Sequence, residues 1–216
     1  MALDPLTPDR RRRLTRDHLL DAAAQVLAER GFHGASLDEV AAAAGFTKGA
    51  VYSNFKNKED LFLALLERYW MRESEALHEA LASDTPPESR LPDFVELIRD
   101  QLTAAPGNWP ALYLEFCVYA MRNPQARERL VQLNDAIVES VAGIIEAERA
   151  RWGIESDESP RRLALIIEAL FRGVGIMRAL DPASVDEAFL ETVISFLARA
   201  MVPPNSPGPP GSPPAP

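Results

Sequence analysis

The chain has 216 residues, 47% hydrophobic and 25% charged, the make-up of an ordinary water-soluble globular protein with ample length for a buried core. It carries 32 acidic against 23 basic side chains, a formal charge of −9, and that balance alone argues against a nucleic-acid partner, whose phosphates demand positive counter-charge. The single cysteine, Cys117, excludes an intramolecular disulfide framework and a cysteine-built zinc site; His18, His33 and His78 show no ligand spacing, and no apolar run approaches the roughly 18 residues of a membrane span. The composition therefore leads us to expect a cytoplasmic protein with no metal, no cofactor and no membrane partner.

Apolar residues recur at three- and four-residue steps along most of the chain, and Ala, Leu, Glu and Arg, all good helix formers, dominate. Helices are expected at about 15–30, 37–44, 48–54, 58–82, 92–105, 109–122, 124–151, 160–180 and 184–201, an all-α fold of about nine helices without internal repeats. Prolines fall between these segments, where they mark helix boundaries, or in residues 203–216, where eight of them crowd with Gly, Ser and Asn. That tail has nothing apolar to bury and is expected to be a disordered, partly polyproline-like extension.

The first helix places Leu19, Ala23, Val26 and Leu27 on one stripe and is expected to stop at Gly31 in a left-handed cap. Ser36-Leu37-Asp38-Glu39 is a capping box, in which Ser36 and Glu39 satisfy each other's backbone N–H. The short helix that follows ends at Gly45, and Thr47 is a second N-cap opening a two-turn helix. Two short helices joined by a tight glycine turn, with alanines where they touch, form a helix-turn-helix at residues 36–55. On the second helix Val51 and Phe55 point inward, which leaves Lys48, Gly49, Tyr52 and Ser53 facing out. Thr47 and Lys48 are at its N-terminal end, the end that enters a major groove in this motif. Gly49 lets the backbone approach a duplex, and Tyr52 offers a flat body with a hydroxyl for a phosphate oxygen.

Charge agrees with that face once it is mapped. All three lysines, Lys48, Lys56 and Lys58, lie within eleven residues, and Arg10, Arg11, Arg12, Arg13 and Arg16 lie within seven. Residues 81–216 hold 12 basic against 19 acidic side chains, so most of the negative charge belongs to the other half of the chain. The Arg10–Arg13 run is either an arm that enters a neighbouring minor groove or a solvated basic segment.

The stretch resembles the TetR family of bacterial transcriptional regulators. The resemblance rests on T-R-x-x-L-L-x-A-A at Thr15–Ala23, G-F at Gly31–Phe32, S-L-D-E-V-A at Ser36–Ala41, A-G-F-T-K-G-A-V-Y-x-x-F at Ala44–Phe55 and N-K-E-D-L at Asn57–Leu61. It implies that Thr47, Lys48 and Gly49 approach bases and phosphates, that Tyr52 and Lys58 clamp the DNA backbone, and that Thr15, Arg16 and Ser36 make flanking phosphate contacts. It further implies a DNA-binding domain at 13–73 and a helical ligand-binding and dimerisation domain at 74–202. The last two long helices, 160–180 and 184–201, then pair with their copies in a homodimer that binds a palindromic operator. Their stripes carry Leu163, Ile166, Ile167, Leu170, Phe171, Val174 and Met177, then Val185, Phe189, Val193, Phe196 and Leu197, and Gly173 and Gly175 permit close helix approach.

Aromatic and polarizable residues gather in the second half. Trp70, Trp109, Tyr113, Phe116 and Tyr119, with Arg178 as a polar anchor, are expected contacts for a largely apolar small-molecule inducer. Glu115 and Arg122 are further polar candidates because they interrupt apolar stretches. No Ser/His/Asp or Cys/His constellation, metal-ligand set or glycine-rich phosphate loop is present, so an enzyme is not expected. The alternative to a ligand-released homodimeric repressor is a DNA-binding regulator that works without a ligand.

Overall fold

A computed structural model describes residues 7–81, 89, 93, 96–97, 99–100 and 109–201. Among these residues there are eight helices and no strand: α1 Pro8–Gly34, α2 Leu37–Ala43, α3 Lys48–Asn54, α4 Lys58–Leu81, α5 Trp109–Arg122, α6 Pro124–Trp152, α7 Pro160–Leu180 and α8 Glu187–Met201. The all-α class is as expected. Most of the helix anticipated at 92–105 lies outside the described residues, as does the proline-rich tail at 203–216, although Asp93, Glu96, Leu97, Arg99 and Asp100 are each helical.

Three helix boundaries differ from the sequence reading. α1 begins seven residues earlier than expected, because Thr7 caps it and Pro8 occupies its first turn, where a missing N–H costs nothing. At its other end Gly31 does carry a positive φ of 70°, but its ψ is 173°, so it is not a left-handed cap. The chain passes through that glycine-only conformation and makes one further turn to Gly34, which swings Phe32 into the core. α8 starts at Glu187 rather than 184, because Asp186 Oδ1 accepts from the Phe189 N–H at 2.9 Å and so sets the first turn.

The chain divides into two compact units. The first is Met1–Tyr69 with Pro106–Leu130, so α5, expected with the second half, packs with the N-terminal helices. Its core collects Leu19, Ala23 and Leu27 of α1, Val40 of α2, Val51 of α3 and Phe62 of α4. Phe116 of α5 is fully buried there, its ring centroid 4.3 Å from that of Phe62 and 5.0 Å from that of Phe32.

The second unit is Trp70–Ala105 with Val131–Pro216. In it Val138, Ala142 and Ile145 of α6 pack against Leu163 and Ala164 of α7, and Val174 packs with Val185 and Leu190. One charged residue is buried among its described residues. Burial pushes the Glu168 carboxyl above its ordinary range, and Arg172, one turn on at 3.2 Å, pulls it back part of the way. The two expected dimer stripes divide by face: Leu163, Val174, Val185 and Leu197 serve the chain's own core, whereas Ile166, Met177 and Phe196 are exposed.

Candidate nucleic-acid interface

The helix-turn-helix is fixed by its own backbone chemistry. At the start of α2 the Ser36 Oγ accepts from the Glu39 N–H at 3.3 Å, and Glu39 Oε2 accepts from the Ser36 N–H at 3.0 Å. Both halves of the expected capping box are therefore present. At the end of α2 the Gly45 N–H donates to Ala42 O at 3.2 Å and the Phe46 N–H to Ala41 O at 2.9 Å. That is a Schellman closure, and it needs the left-handed φ of 69° that Gly45 supplies. Thr47 then caps α3 by accepting from the Ala50 N–H at 3.3 Å.

Between these closures, one face of α3 has no role in the core. Val51 is fully buried and Phe55 nearly so, while Thr47, Lys48, Gly49, Tyr52 and Ser53 are exposed, Tyr52 at 55%. Lys48 is ion-paired to Asp38 of α2, and that bond raises its pKa, so its charge is firm but partly matched inside the protein. Ser53 Oγ donates to Ala50 O at 2.9 Å, and the Asn54 side-chain amide donates to the same carbonyl at 2.8 Å.

The expected flanking residues fall into two groups. Arg16 of α1 donates through Nη1 to Asn54 O at 3.1 Å and lies 4.5 Å over the Phe55 ring, with Thr15 half-buried beside it in sequence. It thereby closes the C-terminal end of α3. Lys58, at the start of α4, donates to His33 O at 3.0 Å and Ala35 O at 2.9 Å, and its ammonium sits 4.9 Å over the Phe32 ring. Burial lowers its pKa, against the pull of Glu115 and Glu39. Ser36 follows Ala35 directly, so Lys58 and Ser36 are neighbours. The Ser36 hydroxyl proton is engaged by Glu39 Oε2 at 2.9 Å and would have to turn to reach a phosphate.

A set of ties from α5 and α6 was not visible in the sequence. The Phe32 N–H donates to Glu115 Oε2 at 2.7 Å, a bond that passes so close to Gly31 that a Cβ there would meet the same carboxylate at 2.8 Å. Tyr119 donates to Glu59, which raises the phenol pKa, and accepts from the Asn123 side-chain amide at 2.9 Å. Arg129 holds Asp60 at 2.5 Å. Burial alone would push the Asp60 carboxyl up, but the Lys56 amide and the Arg129 guanidinium together hold it below the usual aspartate range. The ties Glu115–Phe32, Tyr119–Glu59 and Arg129–Asp60 join residues 60 to 83 positions apart, a distance that local periodicity does not report.

The expected ligand contacts are distributed over both units. Trp109, Tyr113, Phe116 and Tyr119 are all on α5 in the first unit, where Trp109 stacks on Tyr69 at 4.9 Å and Phe116 is core. Trp70 belongs to the second unit, 5.7 Å from the Arg172 guanidinium, and Arg178 donates to Val185 O at 3.4 Å. A small cavity between α7 and α8 is lined by apolar side chains alone, among them Leu170, Phe171 and Leu197, and by none of the six.

Known proteins share both halves of the chain. Residues 19–65 match the family model described as bacterial regulatory proteins, tetR family, and residues 87–203 match the BetI-type transcriptional repressor C-terminal model. The chain belongs to the TetR family. It is therefore a transcriptional regulator that acts on DNA, not an enzyme. Family relatives include the transcriptional activator FasR of Mycolicibacterium smegmatis, 31% identical over 142 residues, 63% of this chain and 64% of that protein. The transcriptional repressor AcnR of Corynebacterium diphtheriae is 28% identical over 193 residues, 87% of this chain and 92% of that protein. Among solved TetR-type folds, the regulator FadR from Bacillus subtilis, in complex with stearoyl-CoA, superposes with a TM-score of 0.62 at 18% identity, covering 87% of this chain and 97% of that one. No described helix is long and apolar enough to cross a membrane, and no group of three or more metal-binding side chains occurs among the described residues.

Proposed function

We propose that this TetR-family regulator works in the cytoplasm as a homodimeric repressor, bound to a palindromic operator and released from it by a small, largely apolar ligand. The observation that carries the DNA reading is the exposed face of α3, held between two closed caps with no partner in the protein's core. Thr47, Lys48, Gly49, Tyr52 and Ser53 would meet the major groove, and Thr15, Arg16, Ser36 and Lys58 the flanking phosphates.

Dimerisation is supported by the second unit. Ile166, Met177 and Leu180 of α7 form an exposed apolar stripe, with open space over Gly173 between them, and Phe196 of α8 is 71% exposed. Apolar residues at this spacing suit a helix bundle between two copies, whose two-fold axis would match two half-sites about 34–36 Å apart. Repression is supported by the BetI-type repressor match, and a ligand by the stearoyl-CoA complex of the FadR neighbour. Its effect would equal its differential affinity for the two states of the dimer. FasR, an activator, makes the opposite direction of control the second reading.

The test is a gel-shift series with duplexes from the DNA flanking the gene, in low salt. The expected result is a retarded band lost in Tyr52→Ala and Lys48→Ala and weakened by lipophilic compounds that also raise the protein's melting temperature. Absence of any retarded duplex would remove the DNA reading. Retardation that no compound alters would leave a regulator working without a ligand.

A further inference from the structure

The first two turns of α1 lie outside both family-model matches, and the function above uses none of their side chains. They carry Arg10, Arg11, Arg12 and Arg13, all exposed. The segment is built as helix rather than as a loose arm. Thr7 Oγ1 accepts from the Arg10 N–H at 3.3 Å, and Thr7 O accepts from the Arg11 N–H at 2.9 Å. Elsewhere arginines are committed: Arg68, Arg129 and Arg161 each hold a carboxylate within 2.9 Å. Among the described residues no carboxylate pairs with any of the four at the start of α1.

Their direction follows from helical geometry. At about 100° per residue, Arg12 and Arg13 fall within roughly 60° of the line of Arg16 and one turn ahead of it, whereas Arg10 and Arg11 fall about 120° and 140° away, toward the opposite face. Arg16 is pinned to the C-terminal end of α3 through Asn54 O and the Phe55 ring. Arg12 and Arg13 therefore stand on the face of α1 from which Arg16 reaches the C-terminal end of α3.

We propose that this pair is a second DNA-contact surface: Arg12 and Arg13 grip backbone phosphates of the duplex outside the base pairs read by α3. The inference rests on the reading of α3 as the groove-facing helix. Helical order also decides which part of the duplex they reach. A helix with side chains is about 10–12 Å across and the B-form minor groove about 6 Å wide, so the segment cannot enter that groove as an arm would. Phosphates remain, and they suit guanidinium groups free of internal partners. In a chain of net charge −9, these side chains would supply much of the sequence-independent attraction that the rest of the molecule opposes.

Phosphate contacts need no operator, so the probe is a fluorescein-labelled 40-base-pair duplex of mixed sequence. The full chain is titrated by anisotropy between 50 and 200 mM NaCl. Each lost phosphate contact lowers the slope of log Kobs against log salt by about 0.9. The Arg12→Ala/Arg13→Ala variant is expected to lower it by about 1.8 per bound protomer, the lysine pair at the same positions to restore it, and Arg10→Ala/Arg11→Ala to leave it near the starting value. Alanine at exposed helical positions favours the helix, and circular dichroism checks that each variant is folded. A wild-type slope in the Arg12/Arg13 alanine variant overturns the proposal and leaves the α3 reading intact. An equal fall in both double variants overturns it in favour of a general charge effect, and failure of lysine to rescue overturns the phosphate assignment. If the unaltered chain binds no mixed-sequence duplex at 50 mM salt, the sequence-independent contact proposed here is overturned, whereas the α3 reading stands or falls with the flanking-DNA gel shift.

Discussion

Lys58 has two claims on its ammonium. One is internal, to the carbonyls of His33 and Ala35, which end the turn before α2 and would otherwise lack a donor. The other is the DNA backbone, as proposed for its family position. Lys58→Ala is therefore expected to lose about 1–2 kcal/mol of stability in urea titration and to flatten the salt dependence of duplex binding by about one unit. Loss of stability with an unchanged salt slope would make the residue a brace alone. Gly31 is more narrowly constrained. Its φ of 70° and ψ of 173° are almost closed to other residues, and a Cβ would collide with the Glu115 carboxylate. Gly31→Ala should cost at least about 2 kcal/mol, read as a melting temperature lower by roughly 4–8 °C. A melting temperature within a degree of the starting value would show that the turn relaxes freely.

At the scale of elements, the two short helices depend on their ends, because a seven-residue helix has little propensity of its own. Ser36→Ala removes the acceptor for the Glu39 N–H and the hydroxyl's own bond to Glu39 Oε2, although the residue 36 N–H keeps that carboxylate, and should destabilise the chain by about 1 kcal/mol in chemical denaturation. No measurable change would mean that packing of Leu37 and Val40 alone sets α2. These caps were fully legible in the sequence, as were the exposed face of α3 and most helix bounds, because capping, turn glycines and three-to-four-residue periodicity are local. Other features were less legible. Thr7 and Pro8 formed a readable start signal, but the arginine run suggested an arm and hid it. Glu115 looked like a ligand anchor because it interrupts an apolar run; it instead accepts the Phe32 N–H, a contact 83 positions away that no spacing rule carries. Trp109 and Phe116 are buried in the first unit, a placement that the sequence does not single out, since an aromatic residue lining a pocket and one filling a core have the same sequence pattern.

For the whole molecule, net charge was a poor guide. The figure of −9 averages an acidic second half with a region whose cations are concentrated on α1 and around α3. Assembly is the property most open to a direct test at this scale. Phe196 is 71% exposed on an amphipathic helix, so Phe196→Glu should leave the single chain folded yet convert a dimer to a monomer in light scattering, with loss of tight DNA binding. A dimer that survives the charge would place the subunit contact elsewhere. The composition of the first unit has a consequence for how such regulators are recombined. Its core is closed by Phe116 and Trp109, which the chain delivers only after more than thirty intervening residues. A splice that grafts residues 1–69 onto a foreign sensor would strip Phe32 and Phe62 of their covering rings and leave Glu59 and Asp60 without Tyr119 and Arg129. The reading head is thus not a portable cassette. A working chimera must carry the segment at 106–130 with it, because two separate stretches of chain build the first unit.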